Sequence, residues 1–505
     1  MANGTRYTWT ISVIAIYNEH EPALKVAYDE FEGSIKKATT LNKDINFVIF
    51  FYDSNSEKAE VRKTVITDGI LEWKIIPLGF VDIYEPSHKV LITFFSEHVS
   101  RDKIEADEEH KHFLITWGHG AGLGFMKQEI ERKISEIQGR EMLTRDTEVA
   151  HSIGWEDIYT INLLRSSLNL PRVSDGTRSE GGNDLNSMNI NEIFNEEKSQ
   201  TDVAKLFRII SSGDLAKIIR GGLVNDKSIV RAVKSGVETG PLAKIQVMLC
   251  LTCYVNMVET AYALKDVVNV YIAPQTEINF AGYNYNELFY LLGNHPEADE
   301  IQISENITHY YLTKYLDEKI RKQAKGSVIF EIDYKSDVSF SAVYLSFYDR
   351  IAKKIRQFRD FIEAQITSGT NINGKGVDEV LRLARDKCLT LAGQGTRDVG
   401  IIDLENYITE ILSNFRGSAL NNFRRFYSFD QIISDYCPGS LCRSLYTAFN
   451  KFQSRSPGSY SVFLPNNPIS PVEAELIGLF KQMETIPGSF AEVSGWSKII
   501  NIVLS

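Results

Sequence analysis

The chain has 505 residues, 43% of them hydrophobic and 24% charged, an ordinary globular balance with enough length for more than one large core. A net charge of −11 gives no general attraction to nucleic acid or to an anionic membrane surface, so neither is expected as a partner. Five cysteines, an odd count without regular spacing, do not suggest a disulfide framework, and MANGTRYTWT lacks the charged and apolar regions of a secretory leader. The expectation is a soluble cytoplasmic protein, although a leader already cleaved off would leave the same sequence.

YTWTISVIAIY (7–17) is β-branched and aromatic and reads as a buried strand, followed by a helical pattern through Leu24, Ala27, Phe31 and Ile35. INFVIFFYD (45–53) reads as a second strand, the region 62–80 as a hairpin turning at Asp68-Gly69, and 86–99 as a helix. HFLITW then ends at Trp117 in a glycine-rich loop. Further on come a strand at 243–252, a helix at 254–264 and a strand at 267–274. This alternation of near-continuous apolar strands with helices predicts a mostly parallel sheet covered on both faces. Residues 245–264 are the nearest approach to a membrane span, but Gln246, Asn256 and Glu259 interrupt them. Residues 168–202 are rich in Gly, Ser, Asn and charge and read as a long exposed loop. Beyond about residue 300 the pattern turns to long helices, with 327–334 and 459–465 as isolated strands. Among the helices, YDRIAKKIRQFRDFI (348–362) sets Ile351, Ile355, Phe358 and Ile362 on one face and five basic residues elsewhere, a pattern read as a core-packed surface helix before a membrane-bound one.

In such sheets binding and catalytic groups gather at the carboxyl ends of strands. Two ends stand out: TWGHGAG, with His119 among Gly118, Gly120 and Gly122, and LCLTCY, with Cys253. A cysteine protease needs a thiolate, an imidazole to move its proton and backbone N–H donors for the oxyanion. Cys253 is expected at the start of a helix, whose N-terminus favours a thiolate. Taken singly, such a His and such a Cys are more often structural than catalytic. Cys250, inside the strand, reads as a core residue, and a redox or zinc use of Cys250 and Cys253 lacks a second paired cluster, since Cys388, Cys437 and Cys442 are scattered.

The whole chain resembles the clostripain family of cysteine peptidases. The resemblance rests on TWTISVIAIYNEHEPAL (8–24), LITWGHGAGLGF (114–125), LTCYVNMVETAY (251–262), VYIAPQTEINFAGYNY (270–285), IDLENYITEIL (402–412) and PGSYSVFLP (457–465). It implies a caspase-like α/β/α sandwich over 1–300, with a mainly helical region over 301–505 packed on it. It implies that His119 is the general base, Cys253 the nucleophile, and the backbone N–H groups of Gly120 and Cys253 the oxyanion donors, acting on a protein or peptide substrate. The enzyme is expected to be latent until the 168–202 loop is cut, by itself or by another protease, or until a regulatory protein partner acts. Relatives that cut after Arg or Lys carry an acid two residues before the nucleophile and another before the Gly-x-x-Tyr segment; here these positions are Leu251 and Ala281. A basic side chain would then lack a counter-charge, unless Glu277 reached in, so strict Arg/Lys specificity is not expected, and neither is self-cleavage at Arg172, Arg178 or Lys198. Some relatives use calcium, but no ligand spacing assigns a site here, and no cofactor is expected. The competing reading is a catalytically silent caspase-like interaction module in which Cys253 only fills space.

Overall fold

The computed structural model describes residues 7–17, 22–42, 44–67, 70–100, 106–120, 122–129, 207–224, 244–276, 278, 283–316, 338–372, 374–391, 400–414, 444–447, 460–465 and 471–505. The loop expected over 168–202, the strand expected at 327–334 and the turn at Asp68 and Gly69 lie outside them.

The strands β1 (Tyr7–Tyr17), β2 (Ile45–Asp53), β3 (Lys58–Thr67), β4 (Ile70–Phe80) and β5 (Ala106–Trp117) are followed by a short pair, β6 (Gly124–Glu129) and β7 (Phe207–Ser211). Then come β8 (Ile245–Leu251), β9 (Val268–Pro274) and β10 (Val338–Tyr344). Among the described residues the main sheet has nine strands in the order Ser444–Thr447, β10, β9, β8, β5, β1, β2, β3, β4. The five central strands β9, β8, β5, β1 and β2 run parallel, and both flanks are antiparallel.

The double-sided apolar character of the central strands explains the layering. In β1, Trp9, Ile11, Val13 and Ala15 enter one core while Ile14 and Ile16 enter the other; because successive side chains alternate faces, such a strand must be covered twice. β2 repeats this with Phe47 and Ile49 against Val48 and Phe50, and β8 with Val247 and Leu249 against Met248 and Cys250. One face is covered by the helices Pro22–Leu41, Tyr285–Asn294 and Glu300–Leu316, which contribute Phe31, Phe289 and Ile303. The other lies under Lys89–Phe94, Ser212–Val224, Val258–Leu264 and Tyr348–Thr367. The last of these buries Ile351, Ile355, Phe358 and Ile362, so its apolar stripe is core. The expected α/β/α sandwich with a helical C-terminal region is what the molecule forms.

The chain beyond residue 300 also enters the sheet: β10 pairs with β9, and Ser444–Thr447 pairs with β10. VSFSAVY, the sequence of β10, was not among the expected strands. A short strand, Ser461–Phe463, pairs with Ile401–Asp403 and lies beside the helix Val258–Leu264. Among the described residues no helix is long and apolar enough to cross a membrane.

Phe31 is fully buried, its ring 4.8 Å from that of Tyr285 and 6.1 Å from that of Tyr28. Phe31→Ala is expected to destabilise the fold by about 3–5 kcal/mol, seen as a lowered melting temperature by circular dichroism.

Candidate active site

β5 and β8 are neighbours, and their register sets Trp117 opposite Leu251. His119 and Cys253 each lie two residues beyond those partners, so the two loops leave adjacent strand ends side by side. The glycines around His119 have distinct tasks. Gly118, at φ +132°, donates its N–H to the Leu251 carbonyl at 3.4 Å, and a Cβ there would stand 2.8 Å from the Ile16 carbonyl oxygen. A Cβ on Gly120 would stand 2.7 Å from the Cys253 carbonyl oxygen, 2.9 Å from Thr252 Cβ and 3.0 Å from the Cys253 nitrogen. Backbone therefore meets backbone where only glycine fits. The Gly122 carbonyl accepts the Thr260 hydroxyl at 3.0 Å, tying the histidine loop to the helix after Cys253.

His119 is partly exposed, whereas Cys253 is 1% exposed. The Cys253 Sγ accepts the backbone N–H of Ile278 at 3.4 Å, from the segment that comes after β9. That segment holds the loop at a second point, for the Tyr254 N–H donates to the Thr276 carbonyl at 3.1 Å. Tyr254 has φ +59°, a left-handed conformation that costs a non-glycine residue roughly 1–2 kcal/mol and is held here by burial and by that hydrogen bond. The Asn256 N–H reaches the Pro274 carbonyl at 3.0 Å, and the Tyr271 hydroxyl donates to the Val255 carbonyl at 2.5 Å.

These contacts correct one expectation. The helix does not start beside Cys253; it spans Val258–Leu264, with Met257 as its N-cap, because the intervening residues are drawn out along the end of β9. The first-turn N–H groups of that helix thus belong to Val258 onwards, and the expected help from a helix terminus at the sulfur falls away. Cys250 is fully buried, and burial pushes its thiol up to about 12. It is an inert core residue, as its place inside the strand suggested.

Leu251 is the last residue of β8, 4% exposed, in the same apolar core as Trp117, with Ile278 packed alongside. Glu277 and Ala281 lie outside the described residues, as do Cys437 and Cys442. Among the described residues no group of three His, Cys, Asp or Glu side chains could hold a metal ion. The Ile278 amide and the left-handed turn at Tyr254 were not legible in the sequence, since neither a backbone N–H nor a non-glycine left-handed residue leaves a mark in residue type.

Gly120→Ala is expected to force the two loops apart, lowering stability by about 1–3 kcal/mol and changing the alkylation rate of Cys253 while Cys250 stays unmodified. Thermal melting and site-resolved mass spectrometry after iodoacetamide treatment check this.

No family model and no curated protein matches the chain. Its structure is similar to that of a secreted C11 cysteine protease from Bacteroides thetaiotaomicron, named iotapain, with a TM-score of 0.53, 12% identity, and coverage of 97% of this chain and 99% of that one. A structure described as a secreted C11 cysteine protease of that organism in complex with an irreversible peptide inhibitor matches with a TM-score of 0.51, 12% identity and the same coverage. The chain therefore has the fold of the solved C11 cysteine proteases over nearly the full length of both.

Proposed function

We propose that the chain is a cysteine endopeptidase in which His119 and Cys253 act as a dyad. The observation that carries the reading is the meeting of the two strand-end loops, with Gly120 packed on the backbone of Cys253 at distances no side chain tolerates. A core that needed only a buried cysteine would not require a glycine-rich histidine loop pressed against it. The shared fold and the peptide inhibitor bound by one solved neighbour support a protein or peptide substrate.

In this reading His119 removes the Cys253 proton, and the thiolate attacks the scissile carbonyl. The N–H groups of Gly120 and Cys253 receive the oxyanion. His119 returns the proton to the leaving amine, and water then hydrolyses the thioester. The near-complete burial of Cys253 beneath Thr276 and Ile278 supports latency: a substrate reaches the sulfur after that segment shifts, under the control of the 168–202 loop or a regulatory protein partner. Leu251 beside Trp117 supports a neutral residue before the cut, since a cation buried there without a counter-charge would be destabilised by several kcal/mol. A cytoplasmic location is part of this proposal; fractionation tests it against the secreted location of the solved neighbours.

The test is digestion of a peptide library by the purified chain and by Cys253→Ala and His119→Ala. Cuts after neutral residues are expected from the parent chain, with each variant slower by about 10³-fold or more. Uniform Arg or Lys before the cut would overturn the specificity. Empty digests together with slow, indiscriminate alkylation of several cysteines would favour the silent interaction module instead.

A further inference from the structure

The helix that comes after the nucleophile carries a carboxyl with no exposure to solvent. Glu259 is 0% exposed, and its Oε1 accepts the backbone N–H of Phe463 at 2.9 Å, from a strand 204 residues further along the chain. Its Oε2 has no hydrogen-bond partner among the described residues. The same strand touches the nucleophile loop at two more points. Met257 and Ser461 form an isolated parallel bridge, and the Ser461 hydroxyl donates to the Asn256 carbonyl. Asn256 in turn donates its side-chain amide to the Ser341 hydroxyl on β10. On its far side the strand is anchored: the Trp496 indole N–H donates to the Phe463 carbonyl at 2.8 Å, Arg385 Nε to the Leu464 carbonyl at 2.6 Å, and the Leu464 N–H to the Gly400 carbonyl at 2.6 Å.

We propose that Glu259 is a positioning residue that clamps the C-terminal strand Ser461–Phe463 to the Cys253 loop, making the C-terminal region part of the nucleophile's support. This rests on Cys253 being the nucleophile. A buried acid is an expensive choice for packing alone, since a leucine would fill the space without a polar atom to satisfy. What the carboxyl adds is a bond to a specific backbone group of a distant strand.

The surroundings shift the balance towards the neutral carboxyl. Burial raises the Glu259 carboxyl to about 7, while the N–H groups of Phe463 and of Glu259 itself lower it. Among the described residues the titratable groups of the packed elements bring no cation to it. Tyr348, from the helix Tyr348–Thr367, lies close enough for its own ionisation to be opposed by Glu259, as it is by Tyr460, which precedes the strand. Asp403, paired with Ser461 from the adjoining strand, accepts the Asn406 N–H. Lys265 pairs with Asp266 and Asp349, Arg220 from the helix Ser212–Val224 with Asp266, and Glu492 accepts the Gly488 N–H. Because the folded value lies above the ordinary one of 4.5, the folded chain holds this proton more tightly than the unfolded one. The clamp is fully supported below about 4.5 and loses support as pH rises through about 7.

The test compares the full-length chain with Glu259→Gln, which keeps an acceptor and stays neutral, and Glu259→Ala, which removes the clamp. Hydrogen–deuterium exchange at the Phe463 amide is read from pH 5.5 to 9 beside peptide cleavage. In the parent chain, exchange at Phe463 is expected to rise about tenfold beyond its intrinsic increase as Glu259 ionises. Glu259→Gln is expected to lose that excess, and Glu259→Ala to exchange fast at every pH. Cleavage by Glu259→Ala is expected to fall about 10–100-fold in kcat with little change in KM, with recovery in Glu259→Gln and no alkaline loss there. Equal Phe463 exchange in all three chains would overturn the clamp, as would full kcat in Glu259→Ala. Should Glu259→Ala not fold, the pH dependence of the parent chain against Glu259→Gln decides. If the parent chain cleaves nothing and its cysteines are alkylated slowly and indiscriminately, the protease reading fails, while the exchange pattern alone still decides the clamp.

Discussion

The close approach of two backbones at the carboxyl ends of β5 and β8 is the constraint on which the site depends. Parallel pairing of these strands delivers two chain segments to one place, but pairing stops at Trp117 and Leu251, and the residues beyond them must pass one another without side chains in the way. Gly120 meets that demand by lacking a Cβ, and Gly118 by taking a φ of +132° beside the Ile16 carbonyl. The sheet thus fixes where the loops begin, and the glycines allow them to touch.

Once the loops are in contact, the segment after Cys253 is held by backbone groups from several directions. The end of β9 and the residues after it take the amides of Tyr254 and Asn256, β9 supplies the Tyr271 hydroxyl, and the C-terminal strand supplies Ser461 and the Phe463 amide. Buried polar groups satisfied in this way give a position more than they give stability, because each bond replaces one to water and contributes little net energy, while a missing one leaves an unpaired group in an apolar core. The left-handed turn at Tyr254 fits this view: a local strain persists because the contacts around it outnumber the alternatives.

How much of this the sequence disclosed depended on the range of the forces involved. β1 and β2 coincide with the apolar runs at 7–17 and 45–53, since β-branched and aromatic residues on both faces of a strand state a burial requirement by themselves. His119 and Cys253 were legible because glycine punctuation and strand ends are local signals. The start of the helix at Val258 was not, because its delay is set by Pro274, Thr276, Tyr271 and Ser461, which are near only after folding. β10 was hidden for a similar reason: VSFSAVY is short and half polar, and becomes a strand by pairing with β9. Leu251 departs from the basic-specific pattern in sequence, but its place at the end of β8 opposite Trp117 needed the fold.

The position of the Ser461–Phe463 strand has a consequence for biosynthesis. A ribosome delivers β1 to β9 long before it delivers residue 463, so the growing chain holds His119 and Cys253 while the Glu259 carboxyl still lacks its amide. β9 likewise waits for β10 to cover its edge, and an uncovered edge invites pairing with other chains. Contacts of such long sequence separation also close slowly. The Cys253 loop is therefore among the last parts of the molecule to be completed, and an incomplete nascent chain carries His119 and Cys253 without the strand contacts that hold that loop.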